Sequence, residues 1–267
     1  MGFVILFNTA IVITFAKQRP VIRKKGPLVE WAAFREPPYS LFAIGIFLAL
    51  WGAYFAYYYV RHPSPSLPRG HQSNCSGSQI TVFAKTAIHL SPSSALTLLM
   101  IMNGIGVAGR LIPAILAARY FGAFNTLIPC VFFGGVLLYC WTAVHNVAGL
   151  VGWAIVNGFL TNAIQTLFPS TLSFLTTDLS KMGVRVGMVF TIISFACLTG
   201  PPIAGALISA DGGKFPHAQV FGGSTMLSGT LFIVAARLMQ TSLKDTWRSK
   251  LGDIFGRSHG GGWERSA

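Results

Sequence analysis

The chain has 267 residues, 52% of them hydrophobic and only 10% charged, with 21 Phe and 29 Gly. Ordinary water-soluble domains carry about 25% charged residues, so the composition excludes that class and indicates an all-α integral membrane protein set in a lipid bilayer. The net charge of +13, from 20 Lys and Arg against 7 Asp and Glu, is in so apolar a chain a signal of membrane orientation and not of nucleic acid binding.

In chain order, Met1 to Ala16 is apolar but shorter than the about 20 residues a spanning helix needs. It reads as the end of a helix begun upstream (a partial span), or as a short anchor. A secretory signal has its basic residues before the apolar run, whereas here they follow. Residues 17–38 form a basic loop, with Lys17, Arg19, Arg23, Lys24, Lys25 and Arg35 against Glu30 and Glu36. Such a block marks the cytoplasmic side, and recognition of anionic lipid is the alternative reading.

The span Tyr39 to Tyr59 follows the breaker Pro37-Pro38. Trp51, Tyr54 and Tyr58 share one face by spacing. Tyr57, Tyr58 and Tyr59 read as interface anchors, while Trp51 and Tyr54, set deeper, either pack or stack on a planar substrate. Residues 60–79 then break the pattern with Pro, Ser, Gly and basic residues. They read as a flexible exoplasmic loop with a weak glycosylation sequon at Asn74-Cys75-Ser76, or as an insertion. Val codons begin with GT, Gln can be CAG, and Ser73-Asn74 can be encoded with a CTAAC branch-point sequence, so a retained intron is hypothesised; a spliced message that keeps these codons excludes it.

Ser94 to Gly122 is the stretch around which the chain is organised, an apolar run carrying Arg110. A charge at membrane depth costs roughly 2.5 to 3.5 kcal/mol on insertion scales and normally faces a bundle interior or a water-filled cavity. Asn103 lies two turns earlier on the same face. Either Arg110 binds an anionic solute with Asn103, or it satisfies backbone carbonyls and snorkels to the cytoplasmic end. Gly104, Gly106 and Gly109 suit close helix approach, and Pro113 permits a kink.

Phe124 to Val144 and Val147 to Leu175 are the next two spans. In the second, Asn157, Thr161 and Gln165 recur at i, i+4, a polar stripe that is either helix-to-helix glue or the wall of an aqueous pathway. Thr176 to Arg185 is a polar, cytoplasmic segment, and Gly187 to Ala210 spans again. There Pro201 and Pro202, within Thr199 to Gly205, are expected to bend or unwind the helix and so to serve a gate. Val220 to Met239 is the last span, which closes a six-helix membrane domain at residues 39–240, and residues 241–267 read as a disordered basic tail.

With this assignment, 15 of the 20 Lys and Arg fall on one side and 4 on the other, with Arg110 in the membrane. The bias sets the C-terminus in the cytoplasm. Cys130, Cys140 and Cys197 lie in apolar runs and no CxxC pair occurs, so neither a disulfide framework nor a metal site is expected. No cofactor is expected either. An enzyme is disfavoured, because the spans hold no His or carboxylate cluster and Gly222-Gly223-Ser224 has no histidine partner in a neighbouring span.

Three runs, LVEWAAFREPPYSLFAIGIFLALWGAYFAYYY, HLSPSSALTLLMIMNGIGVAGRLIPAILAARYFG and TTDLSKMGVRVGMVFTIISFACLTGPPIAGALI, together resemble the C-terminal half of a fungal monocarboxylate-transporter-like permease of the major facilitator superfamily. The resemblance implies that Met1 to Ala16 corresponds to helix six of twelve and the six full spans to helices seven to twelve. It also implies a cytoplasmic gating motif, which Gly109, Arg110, Arg119 and Gly122 match, although Ala118 stands where an aspartate is usual. The animal monocarboxylate transporters place an aspartate one turn before the arginine, where this chain has Gly106. All seven acids lie outside the spans, so no local proton carrier is visible.

The expected function is therefore secondary transport of a small organic solute, an organic anion or planar metabolite, by alternating access. Arg110, Asn103, Asn157, Thr161, Gln165, Trp51 and Tyr54 are the candidate substrate contacts. The expected partners are the missing N-terminal half or a second copy of the chain. Plasma membrane is the expected location, with vacuolar membrane as alternative. The rival expectation is a truncated or mis-spliced product that transports nothing alone.

Overall fold

The computed structural model describes residues 29–57, 59–60, 76–77, 92–144, 146–176, 178, 180–212 and 215–259. For 55–57, 59–60, 76–77, 92–96, 99 and 244–259 it describes the backbone alone. The expected helix end at Met1 to Ala16, residues 17–28 of the basic loop and most of residues 60–79 lie outside the described residues.

Helix α1 spans Pro37–Tyr57, α2 Pro92–Leu116, α3 Ala123–Trp141, α4 Val147–Leu175, α5 Met182–Ala210 and α6 Pro216–His259. All six are long and apolar enough to cross a membrane. Pro37, Pro92 and Pro216 each open a helix, where the missing N–H has no intrahelical partner to lose. A 3-10 turn at Trp31–Arg35 leads into α1, and Ser40 Oγ donates 2.6 Å to Phe34 O across the junction. Asn146 caps α4 by accepting from Gly149 N at 2.7 Å.

Three details differ from the sequence expectation. Helix α5 stays helical through Pro201 and Pro202, so of the expected bend or unwinding the unwinding does not occur. A bilayer offers no water to carbonyls freed by unwinding, and Gly200 lies close enough to Trp51 of α1 that a Cβ there would come within 3.1 Å of its ring. Helix α6 continues to His259, where a disordered tail is expected from polarity. The spacing of Leu243, Trp247, Leu251 and Phe255 repeats every four residues, a helical pattern that average polarity conceals. Finally, a two-residue ribbon pairs Tyr59 with Gly77 and Val60 with Ser76, drawing together the two sides of residues 60–79.

The helices pack as an open arc in the order α5, α1, α6, α3, α4, α2. Trp141 of α3 stacks on Trp153 of α4 at 4.4 Å, and Trp153 Nε1 donates 2.8 Å to Leu137 O. Phe42 of α1 meets Phe124 of α3 edge-on at 5.7 Å. Between α1 and α6 the backbones nearly touch, for a Cβ at Gly229 would lie 2.6 Å from Gly45 O. The end helices α2 and α5 are the least covered: 28% of each spanning segment is buried, against 44 to 56% in the other four.

Candidate functional site

Arg110 sits at the middle of the spanning segment Met100–Phe121, on the exposed face of α2 together with Asn103. Its Nε donates 3.0 Å to Oδ1 of Asn162 on α4. Asn162 is buried, 6% exposed, and its Nδ2 donates 2.7 Å to Gly158 O one turn back. The amide reaches Arg110 because α2 carries glycine at the crossing: a Cβ at Gly106 would lie 2.5 Å from Asn162 Nδ2. Gly109 abuts the Phe159 backbone, and a Cβ at Gly158 would lie 2.7 Å from Met102 O. Gly104, expected to share this role, has open space instead.

The expected polar stripe on α4 divides. Asn157 and Thr161 are buried, each 4% exposed, and Gln165 is half-buried. Asn157 Nδ2 has no hydrogen-bond partner among the described residues, an expensive condition for a buried amide. Asn162, which the i, i+4 reading passes over, makes the contact with Arg110.

Trp51 and Tyr54 lie on a second seam, between α1 and α5. The Trp51 ring meets Phe221 of α6 edge-on at 5.5 Å, faces Gly200, and leaves a buried Nε1 without a partner among the described residues. Tyr54 is partly buried against the core and bonds to Cys197 of α5. Of the expected gating residues, Arg119 is exposed in a π turn at Ala117–Phe121. Gly122 ends that turn at φ +79°, a left-handed conformation that glycine adopts without strain. Pro201 is buried and Pro202 exposed.

A third polar group escapes sequence reading altogether. Arg185, 6% exposed in the first turn of α5, donates from Nε to Glu30 Oε2 at 3.1 Å and from Nη2 to Glu30 Oε1 at 3.4 Å. It also donates from Nη1 and Nη2 to Glu36 at 2.8 and 2.5 Å. Lys181 Nζ lies 2.9 Å from Glu30, and Tyr39 donates 2.9 Å to the Arg185 carbonyl. Hydrogen bonds from Arg185 and then Lys181 hold the Glu30 carboxyl below its ordinary 4.5, and the Glu30 bond raises Lys181. The partners stand 155 and 149 residues apart, so only two carboxylates in an otherwise basic loop hint at the contact.

No protein-family profile matches the chain. An MFS-type transporter of Gibberella zeae is 40% identical over 89% of this chain and 50% of its own length. The MFS-type transporter dbaD of Emericella nidulans is 30% identical over 88% of this chain and 49% of its own length. The agnestins efflux protein AgnL12 of Paecilomyces divaricatus is 28% identical over 79% of this chain and 43% of its own length. The chain spans about half the length of the relatives it matches.

Proposed function

We propose that this chain, which has six membrane-spanning helices among its described residues and is homologous to about half of several MFS-type transporters, acts as the C-terminal half of a major facilitator superfamily permease. In that role it moves a small organic anion or planar metabolite by alternating access. The observation that carries the reading is Arg110, at mid-span on an open helix face shared with Asn103. Against hydrocarbon this charge would cost roughly 2.5 to 3.5 kcal/mol, so its face borders water or protein. Asn157, Thr161 and Gln165 supply neutral hydrogen bonds from α4, and Trp51 and Tyr54 an aromatic wall from α1.

In this reading Gly109, Arg119 and Gly122 form the cytoplasmic gate at the end of α2, and Pro201 and Pro202 let α5 flex. The monocarboxylate-transporter-like subtype rests on the three quoted sequence runs. Export is the favoured direction, since two relatives are named efflux proteins. The positive-inside bias supports a cytoplasmic C-terminus, and plasma membrane is the favoured location.

The open arc and the half-length match support a second six-helix partner, an N-terminal half or another copy. They equally support the rival in which this chain alone transports nothing. Transport of radiolabelled benzoate by proteoliposomes tests the reading. With the partner half present, Arg110→Ala abolishes transport and Arg110→Lys leaves a small residue of it. Unchanged flux in Arg110→Ala removes Arg110 from the pathway, and flux only when both halves are present confirms that the chain alone is inactive.

A further inference from the structure

The amide of Asn162 is committed at both ends, and chemistry fixes which end is which. Arg110 only donates and Gly158 O only accepts, so Oδ1 faces the guanidinium and Nδ2 the carbonyl. The Arg110 bond uses Nε alone. Neither Nη1 nor Nη2 has an acceptor, and no carboxylate pairs with Arg110, among the described residues. A guanidinium offers five donors in a planar fork that matches an oxyanion two bonds at a time. Bound through Nε, it keeps its Nη1–Nη2 edge for a ligand.

The partner is also unusual in origin. A side chain at position 106 would occupy the space one turn before Arg110; glycine leaves it empty, and the Asn162 amide from α4 fills it. That amide does not titrate, whereas a carboxylate in the same place would neutralise the arginine and compete with an anionic ligand.

We propose that Asn162 is a positioning residue, which clamps Arg110 through Nε and, being neutral, leaves the Nη1–Nη2 fork open for a carboxylate or similar planar oxyanion. The assignment rests on the reading that Arg110 faces the solute pathway, and it specifies that anion recognition there is independent of pH across the physiological range.

The test is equilibrium binding of naphthalene-2-sulfonate, whose charge is constant with pH, and of neutral 2-naphthol to the purified full-length protein between pH 5 and 8. The wild type is expected to bind the sulfonate with affinity flat within about twofold across that range. Asn162→Asp is expected to weaken sulfonate binding more than tenfold at pH 7 and to leave 2-naphthol unaffected. Asn162→Ala, which removes the clamp but adds no charge, is expected to weaken the sulfonate severalfold. A purely structural role for Asn162 would instead make the alanine variant the worse of the two and affect both probes alike.

If Arg110→Ala leaves sulfonate affinity unchanged, the pathway reading itself is wrong. If Arg110→Ala abolishes binding while Asn162→Asp and Asn162→Ala match the wild type, only the clamp is wrong, and a wild-type profile that bends between pH 5 and 8 overturns it equally. Thermal unfolding of each variant identifies any that fails to fold, and the wild-type pH profile and Asn162→Ala then carry the test.

Discussion

At the scale of single residues, the best-built polar contact lies where two spans begin, as Glu30 and Glu36 close on Arg185 and join the segment before α1 to the start of α5. Arg185 is almost wholly covered, and a buried charge that loses a partner is left with its desolvation cost uncompensated. Glu30→Gln removes one of two carboxylates, so at pH 7 it should destabilise by about 2 kcal/mol, the scale of a hydrogen bond to a charged group; thermal unfolding in detergent measures it. The sign with pH follows from the shift. Because Glu30 is held below 4.5 in the folded state, its contribution is complete above that value and disappears as pH falls through the lower folded value. The Tm of the wild type should therefore approach that of Glu30→Gln only in acid, and a difference that persists unchanged below the folded value would refute the ionic account.

At the scale of helices, association in a bilayer has little hydrophobic drive and depends on close packing of small residues. The seam between α2 and α4 is built that way, with Gly106 and Gly109 facing Asn162 and Phe159, and Gly158 facing Met102. Gly158→Leu should force the helices apart and destabilise by about 1 to 3 kcal/mol, the usual cost of overpacking. Gly104→Ala meets open space and should be neutral or stabilising by about 0.5 kcal/mol; equal losses in both would mean that helix propensity, not the seam, is being measured. This seam also marks how far the sequence could be read. The six spans were legible because each is a long apolar run, and α4 agrees end to end with the segment expected. Arg110 stands out in the sequence because a charge at mid-span is costly in hydrocarbon, and its part in solute binding is a proposal that the flux of Arg110→Ala tests. Asn162 does not stand out, since its neighbour Thr161 completes the tidier i, i+4 stripe, and only the approach of α2 makes one amide the arginine's partner. The ionic group at Arg185 was illegible for a like reason, its charges being accounted for one by one as topology signals while their meeting is tertiary.

At the scale of the whole molecule, the arc ends in two helices, α2 and α5, that are the least covered of the six, and exposure alone does not say what lies against them. Val107 and Leu111 on α2 are 60% and 59% exposed, close to the 57% of Phe133 on α3. Helical spacing separates the cases. Val107 and Leu111 share a face with Asn103 and Arg110, so lipid there would confront a charge at the cost that mid-membrane arginines avoid, whereas Phe132 and Phe133 are adjacent aromatics for which hydrocarbon is a good solvent. Under the proposed function, the α2 face should thus border water in at least one conformation, and the α3 face lipid in every one. In a background free of native cysteines, Val107→Cys and Leu111→Cys should react with a charged methanethiosulfonate reagent at least tenfold faster than Phe133→Cys, a ratio corresponding to about 1.4 kcal/mol, and a bound organic anion should slow the reaction. Equal and slow rates at all three positions would mean that α2 is sealed against lipid or protein throughout, leaving Arg110 a structural charge held by Asn162 and the arc without a pathway at this end. Fast reaction at 107 and 111 that the anion does not affect would keep the cavity and remove the anion from it.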